Sequence, residues 1–264
     1  MGLTPVFNPD TGASGGPTPA TPPAAADGAP KLVIDTDFKA TPTVDMSSVG
    51  TFTVDGIAWT STSSVATTAE ANATGFTITS SAGSGSGFSA QIPDVAAGDF
   101  VCMVFVFEPT TMGHNDQEII IKLGQAAAAD SNTIYDLEMR FKRVSGKYRC
   151  RHGYRAASSW TEAYIGDNPW GGGSLPSRIT MMLYGSGYSW QTRMSSTATE
   201  MPDFRGVVGT ENASGSLRSR GAGQLQNDTN PTNLQYAKVV FGPSGDPFTV
   251  KMVGLRVWVG ARVV

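Results

Sequence analysis

Charged side chains are scarce in this chain. Asp, Glu, Lys and Arg make up 16% of its 264 residues, against roughly 25% in ordinary soluble domains. The net charge of −3 comes without any block of lysine or arginine, which disfavours contact with a nucleic-acid backbone. Histidine is nearly missing. His114 and His152 show no zinc spacing with the only cysteines, Cys102 and Cys150, and no metal or cofactor is expected. Two cysteines set no disulfide framework. Cys102, inside FVCMVFVF, reads as a small core hydrophobe, and Cys150 lies between Arg149 and Arg151.

Other absences narrow the function further. No apolar run approaches the roughly eighteen residues of a membrane span, and the longest, Phe100 to Phe107, suits a buried strand. No lysine or arginine precedes Lys31 and no apolar h-region follows the start, so neither a secretory signal nor membrane insertion is expected. The sequons at Asn72, Asn212 and Asn227 are then coincidences of a Ser/Thr-rich chain. No window carries a period near 3.6 residues, so helices should be few. No repeat of roughly 20–50 residues marks a propeller or solenoid. The glycine-rich loops match no phosphate-binding fingerprint.

What is present begins with the first thirty residues, which hold seven prolines, six alanines, five glycines and only two charges, Asp10 and Asp27. Proline fixes φ and removes donors, glycine adds unfolded-state freedom, and little apolar surface is available to bury. Residues 1–31 therefore read as an extended arm, and its single aromatic, Phe7, makes Val6-Phe7-Asn8-Pro9 the candidate anchor to a partner. The body, 32–264, reads as all-β. Asp55-Gly56 and Ser145-Gly146 are tight-turn signals between strand-like runs. DFVCMVFVFEP should be a central strand covered on both faces. In IYDLEMRFKR, Leu137, Met139 and Phe141 alternate with Asp136, Glu138, Arg140 and Lys142, which reads as a core face against a solvated one. In the last run Val253, Leu255, Val257 and Val259 alternate with Gly254, Arg256, Trp258 and Gly260. About a dozen strands at these spacings suit a two-sheet antiparallel sandwich.

Three features resemble the concanavalin-like, laminin-G-type jelly roll: the early Gly56-Ile57-Ala58-Trp59, the hairpin of YDLEMRFKR with KYRCRHGY, and the late return of FTVKMVGLRVWVG. The resemblance implies a jelly-roll sandwich but places no calcium ligand or catalytic acid. An arm of this composition ahead of a Gly/Ser/Thr-rich sandwich also resembles virion accessory proteins of tailed bacteriophages, such as head decoration proteins, head fibres and tail fibres. That resemblance implies attachment through the arm to the major capsid or another virion protein. It also implies a homo-oligomer, with a trimer favoured, assembled in the host cytoplasm and located on the virion.

Candidate chemistry is sparse. Jelly rolls host glycosidases, which need paired carboxylates roughly 5–9.5 Å apart. Asp136 and Glu138 share a face, but Arg140 and Lys142 continue the stripe and compensate the charge, so no catalytic residue is assigned and an enzyme is not expected. Aromatic rings stack on sugar faces, and Trp160, Trp170, Tyr188 and Trp190 are the candidate glycan contacts. The run from His114 to Glu118 is polar but lacks an EF-hand pattern. The long polar stretch from Gly206 to Asn233 reads as a contact loop. The leading expectation is a structural virion protein on the capsid exterior. The alternative is a carbohydrate-binding module of a tail fibre or exported protein that takes a host-surface glycan, and the third is a glycosidase.

Overall fold

Two mirror-image turns set the local pattern. Asp55 and Gly56 have φ of 51° and 79°, and Ser145 and Gly146 have 50° and 78°. These left-handed conformations match the right-handed twist of paired strands, which is why Asp-Gly and Ser-Gly stand there. The first turn joins β3 (Thr51–Val54) to β4 (Ile57–Ser61), and the second joins β10 (Leu137–Val144) to β11 (Lys147–Ala156). The computed structural model describes residues 30–38, 44–45, 50–61, 67–72, 75–80, 86–96, 99–115, 117–127, 137–156, 159–165, 175–185, 189–195, 219–224, 234–242 and 248–260. The expected arm, with Val6, Phe7, Asn8 and Pro9, lies outside them.

The remaining strands are β1 (Lys31–Asp37), β2 (Val44–Asp45), β5 (Thr67–Asn72), β6 (Gly75–Ser80), β7 (Ser86–Gln91), β8 (Phe100–Thr111) and β9 (Glu118–Gly124). They continue with β12 (Ser159–Ile165), β13 (Ile179–Gly185), β14 (Ser189–Ser195), β15 (Ser219–Gln224), β16 (Tyr236–Phe241) and β17 (Phe248–Gly260). They form two antiparallel sheets. A nine-stranded sheet runs β15-β14-β13-β8-β17-β6-β5-β2, with β1 also paired to β17. An eight-stranded sheet runs β12-β11-β10-β9-β16-β7-β4-β3. The chain is an all-β, two-sheet jelly-roll sandwich.

Alternation sends one side chain in two into the space between the sheets. From the nine-stranded sheet come Phe105, Phe107, Met181, Leu183, Leu255 and Val257, and from the eight-stranded sheet Trp59, Phe88, Ile121, Leu123, Met139 and Phe141. Aromatic contacts bridge the layers, with Phe107 5.9 Å from Phe141 and Phe241 6.2 Å from Phe248 between ring centroids. Trp59 meets Phe88 edge-on at 5.3 Å.

Strand β8 is buried on both faces, as its continuous hydrophobicity requires. Its even-numbered residues Cys102, Val104 and Val106 form a second apolar cluster with Met182, Val253 and Trp258 on the far side of the nine-stranded sheet. Cys102 is thus a buried cysteine, outside any disulfide, in this outer cluster away from the central core.

Three expectations are corrected. The register of β17 against β8 shifts between Met252 and Gly254, so Val253 leaves the alternation and joins Trp258 while Leu255, Val257 and Val259 keep to the core. This is a β-bulge, an extra residue that reverses the facing of the strand beyond it. The polar stretch from Gly206 to Asn233 contains β15, which pairs with β14. Glu138, expected on a solvated face, is buried.

Candidate functional site: the outer face of the eight-stranded sheet

Register builds one row across the whole sheet. Glu162 of β12 lies opposite Gly153 of β11, which lies opposite Glu138 of β10 and then Lys122 of β9. Lys122 faces Lys238 of β16, followed by Ser89 of β7, Thr60 of β4 and Thr51 of β3. Every member is polar or glycine. Across β10, β9, β16 and β7 the flanking core-facing rows are apolar, with Met139, Ile121, Val239 and Phe88 on one side and Leu137, Leu123, Ala237 and Ala90 on the other. The polar row therefore belongs to the face turned away from the sandwich core.

Several of these groups are withdrawn from solvent. Glu138 is 1%, Lys122 3% and Lys238 0% exposed. The Lys122 ammonium lies 3.6 Å from the Glu138 carboxylate, and Arg140 Nε donates to the same carboxylate. Arg140 also reaches across to β9, where its second nitrogen lies 3.3 and 3.4 Å from the two oxygens of Glu118. Lys142 stands 3.9 Å from Glu118. One guanidinium thus ties two carboxylates on neighbouring strands. Burial pushes the Glu138 carboxyl above its ordinary value, opposed by Arg140 and Lys122 and reinforced by Glu118. The buried row is held by mutual charge compensation, the condition under which ionised groups tolerate loss of water.

Glycines admit the side chains to this face. A Cβ on Gly242 would occupy the space of the Glu118 side chain, and one on Gly87 would strike the Val239 carbonyl oxygen. The segment after β9 folds over the same face, where Ser89 Oγ donates to the Ala127 carbonyl at 2.5 Å. In the polar run, His114, Asn115 and Gln117 make internal contacts. His114 N donates to Gln117 Oε1 at 2.9 Å, and Asn115 Oδ1 accepts from Gly146 N at 3.0 Å. Among the described residues no cluster of three His, Cys, Asp or Glu side chains is placed to hold a metal ion.

The glycan candidates separate. By backbone register Trp160 lies opposite Arg155 in the edge strand β12, at the same parity as Glu162 in the polar row. Tyr164 shares that parity, opposite Arg151. Trp190 lies in the other sheet, opposite Gly185 of β13, at the parity of the core residues Leu183 and Met181. Trp170 and Tyr188 fall outside the described residues, as does Asp136. The ionic row itself escaped the sequence reading because its members come from positions 122 to 238, and only the β10 stripe is contiguous.

No family model and no curated protein matches the chain. Among solved structures, the CBM2 module of the evolved Dit of Lactobacillus casei BL23 phage J-1 is similar over 89% of this chain and 98% of that one, at 10% identity and a TM-score of 0.51. The exoplasmic/lumenal domain of VIP36, in its Ca2+/Man3GlcNAc-bound form, is similar over 78% and 86%, at 8% identity and a TM-score of 0.48. The carbohydrate recognition domain of Emp47p covers 84% and 99%, at 10% identity and 0.45. The likeness to the phage module establishes the jelly-roll fold.

Proposed function

We propose that this protein is a virion accessory protein of a tailed phage whose sandwich binds carbohydrate through the outer face of the eight-stranded sheet. The observation that carries the reading is the outer-face register at the edge of that sheet, where Trp160, Glu162 and Tyr164 of β12 stand opposite Arg155, Gly153 and Arg151 of β11, at the end of a polar row whose middle members Glu138, Lys122, Lys238 and Ser89 are buried. Sugars are recognised by such a combination, in which fixed polar groups bond hydroxyls and aromatic rings pack on C–H faces. The fold shared with a phage carbohydrate-binding module supports it. The reading assigns no turnover to the face. Glu138 is enclosed by Arg140 and Lys122 and is 1% exposed, a setting that suits structural pairing better than proton delivery to a substrate.

A glycan array probed with the full chain tests the reading. Binding that weakens by about tenfold or more with Trp160→Ala, and changes little with Trp190→Ala, supports it. Binding lost with Trp190→Ala alone moves the site to the other sheet. Accumulation of cleaved polysaccharide that stops with Glu138→Gln would instead make the protein a glycosidase.

The second reading, favoured by the Pro/Ala/Gly-rich composition of residues 1–30, is a capsid-exterior protein that decorates or stabilises the particle. In it the arm, anchored at Val6-Phe7-Asn8-Pro9, joins the major capsid or another virion protein, and a homo-oligomer (a trimer favoured) gains avidity. Both roles are compatible in one chain. A variant lacking residues 1–30 should stay folded and fail to join particles in a co-sedimentation assay. Particles decorated equally by the truncated chain would remove the arm from the account.

A further inference from the structure

The outer face of the eight-stranded sheet is strongly basic, although the chain as a whole carries −3. At outer-face positions of its strands stand eight lysines and arginines against three glutamates, Glu118, Glu138 and Glu162. Three base–base pairs lie directly opposite one another: Lys142 with Arg149, Arg140 with Arg151, and Lys122 with Lys238. Like charges directly opposite across a sheet are destabilising. Glu138 and Glu118 offset Lys122, Arg140 and Lys142, and the other bases of the face stand mainly on β11, at Lys147, Arg149, Arg151 and Arg155. Arg155, next along β11, lies opposite Trp160, and Arg151 lies opposite Tyr164. Arginine opposite an aromatic in the edge strand of a sheet suits a sugar that also carries an acid group, because the fork of donors takes the acid while the ring takes the apolar sugar face.

We infer that this face binds an anionic glycan, a polysaccharide bearing carboxylate or phosphate groups, with Arg149, Arg151 and Arg155 of β11 meeting the acid groups. Alternate residues of a strand stand roughly 7 Å apart, so Arg149 and Arg151 are separated by about 7 Å and Arg155 lies about 13 Å further along β11, with Gly153 between. The inference rests on the carbohydrate-binding reading above and names the chemical class of its ligand.

Affinity electrophoresis of the full chain tests it with four probes: polygalacturonate, poly(glycerol phosphate), neutral amylose and single-stranded DNA. Retardation by one of the two acidic polymers, weakened between about 50 mM and about 500 mM NaCl, is expected, and which of them binds identifies the acid. The variant Arg149→Gln/Arg151→Gln/Arg155→Gln should lose about tenfold or more in affinity, while the matching triple lysine variant should lose less. Thermal unfolding of both variants checks that they are folded. If the glutamine variant does not fold, the salt dependence and the triple lysine variant carry the test. Amylose bound as tightly as the acidic polymers, or acidic binding indifferent to both salt and the glutamine variant, would overturn the anionic class and leave carbohydrate binding standing. DNA bound as tightly as the glycans would overturn it in favour of a general polyanion surface. Failure to bind any of the three polysaccharides, together with an empty glycan array, would overturn both readings.

Discussion

Burial raises the Glu138 carboxyl above its ordinary value although Arg140 and Lys122 oppose the shift. The folded protein therefore holds this proton more tightly than the unfolded chain does. The associated stability is fully present below the unfolded value and is lost as pH rises through the folded one. Wild type should thus gain stability relative to Glu138→Gln as pH falls from neutral toward 4.5, the ordinary carboxylate value. Urea unfolding of both proteins at the two pH values checks this, and an equal or reversed difference would contradict it. Arg140→Met leaves two carboxylates without their shared guanidinium. It should cost about 3 kcal/mol, the low end for breaking a buried pair, because Lys122 and Lys142 remain nearby. At Gly87, an added Cβ meets the backbone oxygen of Val239, which cannot swing aside. Gly87→Ala should therefore destabilise by about 1–3 kcal/mol in the same assay.

Elements were legible where local chemistry decides them. Asp55-Gly56 and Ser145-Gly146 announced their hairpins because only positive φ closes a two-residue turn between twisted strands. The continuous apolar run of β8 announced a strand covered on both faces. Strands β5, β12 and β15 were not legible, since TTAEAN and SRGAGQ offer almost nothing apolar and SWTEAYI follows no clean alternation. Their pairing comes from neighbours. The bulge at Val253 was hidden for a related reason. Valine fits either face, and only the register against β8 reveals that the strand changes parity there. Deleting Val253 removes that extra residue and lets Gly254 and then Leu255 follow Met252 in unbroken alternation, so the deletion variant should still give a cooperative thermal transition, and loss of that transition would contradict the bulge. The milder Val253→Ala should unfold cooperatively with a loss of about 1–3 kcal/mol.

At the scale of the whole molecule, the sandwich gives its two outer faces different characters. The nine-stranded sheet carries an apolar cluster around Val104, Met182 and Trp258, whereas the eight-stranded sheet carries the ionic row and its surplus of bases. The candidate site was only partly legible. Trp160 was singled out as a ring, and the β10 stripe as a charged face, but that stripe read as solvated. The sequence does not show that Lys122 and Lys238 complete a buried row with Glu138. The arginines Arg140, Arg149, Arg151 and Arg155 all lie in the one hairpin that the sequence does display. Long-range strand pairing adds Lys122, Lys238 and the aromatic edge strand to it, which local composition could not display.

The central claim is that ligand meets the outer face of the eight-stranded sheet at β10 to β12. Hydrogen–deuterium exchange of the full chain, with and without the acidic polysaccharide that retards it most, tests this directly. The account predicts slowed exchange in peptides spanning 137–165, with peptides 179–195 and 219–224 of the other sheet unchanged. Protection confined to 179–195 and 219–224 would contradict it.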